Sequence, residues 1–161
     1  MTFILGKASE ANLIGVRARL ICCVRYAIKR TPQDFGVFEG IRSEARQRAL
    51  YASGASRTLQ SYHLTGEAVD LVPYVNGTLQ WQQPLCERIA RVMLEASRDL
   101  SVRLVWGGVW DRELASLDPE NLAGEVADYA ERYRSAHPGK HALIDGPHFQ
   151  LVRVAGAQEA A

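Results

Sequence analysis

The pattern of apolar residues along this sequence predicts a single α+β domain. Three observations carry that expectation. Helix-spaced stretches and short extended runs follow one another without the regular strand–helix alternation that βαβ units need. The chain is 161 residues long, 47% hydrophobic and 23% charged, close to the globular average for one domain. No internal repeat, low-complexity block or linker divides it. The folded body is expected over residues 1–154, with 155–161 a frayed tail.

Each element has its own signal. Ser9 is placed to cap a short turn, and Gly15 separates that turn from a stronger helix. In the latter, Val16, Leu20, Cys23, Val24, Ala27 and Ile28 recur at 3- and 4-residue spacing until Thr31-Pro32 ends it. Phe35 to Ile41 reads as a strand, and Ser43 caps a helix reaching about Ala52. Ser53 to Thr65 is a long Gly/Ser/Thr-rich loop. Ala68 to Val75 is an apolar strand closed by the Asn76-Gly77 turn. Leu85, Ile89, Val92, Met93, Ala96 and Leu100 line one side of a second amphipathic helix. A strand from Val102 to Trp106 follows, then Gly107-Gly108. Asp118-Pro119 is expected to start a helix carrying Leu122, Val126, Tyr129 and Tyr133, stopped by Pro138-Gly139. His148 to Val154 reads as the last strand.

Composition excludes several classes. Disorder of the whole chain is ruled out, and no run approaches the roughly 18 apolar residues of a membrane span. Lys and Arg number 19 against 18 Asp and Glu, a net charge of +1, which argues against a nucleic-acid partner held by many phosphate contacts. Cys22, Cys23 and Cys86 lack the spacing of a zinc knuckle or redox pair and read as free, buried thiols. The first residues lack a basic region followed by an apolar core, so synthesis without a signal peptide in a reducing cytoplasm is expected.

The chemistry concentrates in two windows. Asp70 interrupts an apolar strand, and a buried carboxylate loses its charge unless a cation holds it. His63 lies seven residues earlier, beyond Gly66, which permits a sharp reversal. The plain alternative is a surface His and an Asp paired with an Arg. In Asp145-Gly146-Pro147-His148, His148 opens the last strand. Two imidazoles and a carboxylate suit a catalytic zinc with one position left for water. Asp145 is then the candidate general base. HExxH is absent, and His137 and His141 read as loop residues.

Ser-x-His-x-x-Gly-x-Ala-x-Asp followed by Asp-x-Pro-His resembles the zinc D-alanyl-D-alanine carboxypeptidase superfamily, which includes the vancomycin-resistance-type enzymes. Gly6-Lys7-Ala8-Ser9-Glu10, residues 34–42, Arg46-Gln47, residues 54–58 and Trp106-Gly107-Gly108-Val109-Trp110 resemble its phage branch, the L-alanyl-D-glutamate peptidase endolysins. The likeness spans roughly residues 3 to 154. It implies a small antiparallel sheet with flanking helices, as in DD-peptidases and hedgehog-type domains. It also implies Zn2+ on His63, Asp70 and His148, with Asp145 as catalytic base and Arg42 as active-site arginine. Arg42 is suited to holding an oxyanion; Ser61, Gln47 and Trp106, with Trp110 beside it, are the candidate substrate contacts.

The partner so implied is the stem peptide of bacterial peptidoglycan, met by a monomer that reaches the wall after release from the host cytoplasm. A D-alanyl-D-alanine carboxypeptidase and a non-catalytic zinc- or wall-binding module are the alternatives. Val109 stands where the branch often has Asp, and residues 111–144 form a longer connection than the branch implies.

Overall fold

A computed structural model describes residues 2–153; the expected tail at 155–161 lies outside them. Among these residues, five helices surround an open antiparallel sheet. In chain order they are α1 (Lys7–Asn12), α2 (Ala18–Ile28), β1 (Phe35–Glu39), α3 (Glu44–Ala52), β2 (Ala68–Val75), β3 (Thr78–Leu79), α4 (Gln83–Asp99), β4 (Leu104–Trp106), α5 (Leu122–Ala136) and β5 (His148–Leu151). The sheet order is β1-β2-β5-β4, with β3 paired to the end of β2. The α+β expectation therefore holds, and the sheet is antiparallel at every pairing.

Helices α2 and α4 cover one face of the sheet. Leu20, Val24 and Ala27 of α2 meet Ile89, Val92, Met93 and Ala96 of α4 in an apolar cluster completed by Val37, Val69, Leu71, Leu104 and Phe149. Fully burying one such side chain contributes about 1.5–3 kcal/mol, so this cluster anchors the strands that carry the site.

Local signals placed most boundaries. Ser43 accepts a hydrogen bond from Arg46 N at 3.2 Å and starts α3. Asn76 and Gly77 both adopt positive φ, 51° and 74°, the turn that turns β2 back as β3. Two-residue β3 is too short for periodicity to show.

Other expectations are corrected. Ser9 lies inside α1, and its buried hydroxyl accepts the Val37 N–H at 3.0 Å, tying α1 to β1 rather than capping. Cys22 is exposed, on the face of α2 turned from the core, while Cys23 and Cys86 are buried. Helix α5 begins at Leu122: Asp118 Oδ1 accepts the Glu120 N–H in a preceding turn, and Asn121 is the cap. Strand β1 stops at Glu39, short of Ile41: a bulge between Val37 and Glu39 shifts the register, and Glu39 opposite Asp70 is its last pairing with β2. Strands β4 and β5 are also shorter than expected, β4 starting at Leu104 and β5 ending at Leu151.

Candidate metal centre and active site

Register builds the site. Asp70 on β2 lies opposite Glu39 of β1 and His148 of β5, so three adjacent strands present these residues in one row. His63 arrives from a short 3-10 turn, Tyr62–Thr65, whose preceding residue Ser61 accepts the His63 N–H at 3.3 Å. Gly66 ends that turn at φ +69°, and a Cβ there would lie 2.2 Å from Gly15 O. Only glycine satisfies both demands. Arg42 N–H donates to His63 O at 3.0 Å, closing the loop over the sheet.

The three candidate ligands converge. His63 Nε2 lies 3.3 Å from His148 Nδ1 and 3.3 Å from Asp70 Oδ1. His148 Nδ1 lies 3.2 Å from the same oxygen. Outer partners decide which nitrogens carry protons. His63 Nδ1 is 2.7 Å from Gly40 O, a pure acceptor, and His148 Nε2 is 3.0 Å from Gln150 Oε1. Each imidazole therefore donates outward and turns a bare nitrogen inward. Two nitrogen lone pairs and a carboxylate oxygen then face one another, an arrangement that demands a positive centre. Tetrahedral zinc, with bonds of about 2.0–2.1 Å, separates its ligands by about 3.3 Å. This buried group can hold a metal ion, and its donor set fits zinc.

Charge balance agrees. Burial pushes the Asp70 carboxyl up, but hydrogen bonding and attraction from His148 and His63 outweigh it and hold it well below the carboxylate range. Burial likewise disfavours charged His148, yet Asp70 raises its proton affinity above the ordinary value.

Asp145 approaches from the turn before β5. Its N–H donates to Gly107 O at 2.8 Å, Gly107 N–H donates to His148 O at 2.8 Å, and His148 N–H donates to Asp145 O at 3.1 Å. A Cβ on Gly107 would sit 2.2 Å from Asp145 O, so glycine is required for this close approach. Burial first, and then the negative charge of Asp70, raise the Asp145 pKa; the two imidazoles and Arg42 oppose them. That is the environment of a proton-transfer group.

Arg42 is clamped beside the cluster. Its Nη1 donates to Gln47 Oε1 at 2.7 Å, its Nη2 to Glu39, and Nη2 lies 3.7 Å from Asp70 Oδ2. Its buried Nε has no hydrogen-bond partner among the described residues.

Two of the expected substrate contacts, Gln47 and Trp106, are buried. Gln47 is only 1% exposed and spends its amide on Arg42, Ser56 Oγ (2.9 Å) and Thr58 O (2.6 Å). Trp106 is 0% exposed, and its indole donates to Gly146 O at 2.7 Å. It buttresses the Asp145 turn from the core instead of walling a cleft, because strand β4 turns it inward beneath Gly108. Trp110 does reach the site, its ring tilted at 32° against His148 with centroids 5.1 Å apart. His137 is exposed and bonds back to Tyr133 O, outside the cluster. Val109 is buried. Residues 111–144 supply α5, laid against α4 and tied by Arg132 to Asp111 at 2.8 and 2.9 Å.

Glu39 and Gln150 were not singled out from sequence. Gln150 had a usable signal, since it shares a strand face with His148 at i+2. Glu39 had none, because the bulge that aims it is tertiary.

Comparison with known proteins decides the family. The model of the phage L-alanyl-D-glutamate peptidases matches residues 1–152. The chain belongs to this family. The L-alanyl-D-glutamate peptidase of Escherichia phage T5 is 30% identical over 156 residues, covering 94% of this chain and 100% of that protein. The Listeria phage A118 enzyme of the same name is 35% identical over 74 residues, 46% of this chain and 25% of its own length. Among solved structures, the L-Ala D-Glu endopeptidase ChiX of Serratia marcescens superposes with a TM-score of 0.70 at 35% identity, covering 92% of this chain and 90% of that one. Family membership makes the chain a peptidase, and His63, Asp70 and His148 form a buried group in it that could hold a metal ion.

Proposed function

We propose that this protein is a zinc peptidase that hydrolyses the L-Ala–D-Glu amide of the peptidoglycan stem peptide, with residues 1–154 as its catalytic domain. One observation carries the metal: three inward lone pairs 3.2–3.3 Å apart, with both imidazole protons committed outward. The bond and the wall substrate rest on the names of the relatives.

His63 Nε2, Asp70 Oδ1 and His148 Nδ1 are the ligands in this reading. Zinc held there supplies Lewis acidity toward an amide carbonyl and lowers the pKa of water toward about 7. Asp145 accepts the proton of the attacking water and returns it to the leaving nitrogen of D-Glu. Arg42, fixed by Glu39 and Gln47, offers its guanidinium to the negative charge that develops on the carbonyl oxygen. Ser61 and Gln47 act by holding the His63 loop and Arg42, and Trp106 by supporting the Asp145 turn. In infection such an enzyme, a monomer made in the host cytoplasm, meets the wall after release.

Incubation of purified protein with defined muropeptides, followed by mass spectrometry, tests the reading. Release of the peptide beginning at D-Glu is expected. Loss of only a terminal D-Ala would replace it with a carboxypeptidase.

A further inference from the structure

Two exposed aromatic rings on the metal-bearing face have no part in the chemistry above. Phe38 is 45% and Trp81 54% exposed, yet the rings meet edge-to-face with centroids 4.9 Å apart. The indoles of Trp106 and Trp110 donate to the carbonyls of Gly146 and Leu143. That of Trp81 has no hydrogen-bond partner among the described residues. A large apolar surface and a spare donor are thus presented together to solvent.

Their position follows from the strands. Val37 faces the apolar cluster with its register partner Leu71. Phe38 by alternation takes the opposite face, and the bulge turns Glu39 to that same face, against Asp70. With strand spacing of about 4.8 Å and a rise of about 3.3 Å, the Phe38 Cα lies roughly 6 Å from that of Asp70. Trp81 precedes Gln83 by two residues, and a Cβ on Gly146 would lie 2.4 Å from Gln83 Oε1. The pair therefore lies on the face of the cluster, Phe38 next to Glu39 on its Arg42 side and Trp81 two residues from Gln83, which abuts Gly146 on its Asp145 side.

The substrate chemistry of the proposed function, on which this inference rests, supplies one occupant. In the wall, L-Ala is joined through a lactyl group to an N-acetylated hexose. One residue and that linker separate the sugar from the scissile amide, a reach of about 10 Å at about 3.5 Å per residue. A pyranose offers a C–H face to an aromatic ring, and its acetamide oxygen accepts an indole N–H. The geometry points to Phe38 and Trp81 as a stacking subsite for this amino sugar, so the enzyme reads glycan as well as peptide.

The test compares two substrates with the same L-Ala–D-Glu bond, a disaccharide-peptide and the sugar-free stem peptide. Trp81→Ala and Phe38→Ala are each expected to lose about tenfold in kcat/KM on the disaccharide-peptide, through KM, equivalent to about 1.4 kcal/mol. Rates on the sugar-free peptide, zinc content and melting temperature stay at wild-type values. Trp81→Tyr, which keeps a ring and a donor, retains most of the preference for the sugar-bearing substrate. Equal losses on both substrates, no loss on the disaccharide-peptide, or failure of Trp81→Tyr to retain the preference would overturn the subsite. Failure of the wild type to cut either substrate at this bond instead defeats the peptidase reading beneath it.

Discussion

The two faces of β2 are one residue apart in sequence and opposite in purpose. Val69 and Leu71 are fully buried among the helices and hold the sheet in place. Asp70, between them, faces two imidazoles and an arginine. Strand alternation makes this possible, since successive side chains leave opposite sides of the sheet. The comparison teaches that stability and reactivity are separable here: apolar burial fixes the frame, while the working face carries polar groups held by outward hydrogen bonds.

That separation can be broken from either side. The largest expected effect is on the working face. Chelation should abolish hydrolysis and added zinc restore it, and Asp70→Ala should copurify without metal; the readouts are metal analysis and muropeptide cleavage. Next, Asp145→Asn should retain zinc but lower kcat by about 10²–10⁴-fold, the range of general acid–base catalysis. Unchanged turnover would remove Asp145 from the mechanism.

On the other face, Leu71→Ala should destabilise the fold by about 2–5 kcal/mol. Below its melting transition this variant should keep near-normal kcat, which thermal denaturation and assays at low temperature would check. A collapse of kcat in fully folded protein would show that the two faces are coupled.

Smaller effects appear with pH. In the proposed reaction Asp145 works unprotonated, and burial together with Asp70 raises its pKa. Activity should therefore fall with decreasing pH through a midpoint above the ordinary Asp value of about 3.9. A profile flat down to that value contradicts the assignment. Glu67 tests a purely structural pair, since hydrogen bonding from Arg153 holds its pKa below the ordinary value. A lowered folded-state pKa gives stability present above the unfolded value, about 4.3, and lost as pH falls through the folded one. Glu67→Gln should remove that contribution, less than about 1 kcal/mol for so exposed an arginine partner, visible as a slightly flatter dependence of melting temperature on acid pH.

Much of this was legible because it is local. Strand β2 runs from Ala68 to Val75 as its apolar run indicates, and α3 begins where Ser43 can cap it. The structure brings His63, Asp70 and His148 together, a pairing that a glycine reversal and two extended runs made readable. Less local features escaped. Asn121 displaced Asp118-Pro119 as the start of α5; Asp118 instead accepts the Glu120 N–H in the turn before it. Trp106 and Gln47 have side chains suited to a cleft, but the fold buries both.

By itself, the sequence determined the fold class, the longer elements to within a few residues and the chemical types available at the site, because periodicity, caps and residue chemistry act over a few neighbours. Only the tertiary structure decided which nitrogen each imidazole turns inward, how Glu39 and Gln47 clamp Arg42, and that Trp106 supports a turn from within. Those outcomes depend on register between strands and on acceptors such as Gly40 O and Gly146 O. Such groups are common to every residue's backbone, and only folding brings a particular one within reach.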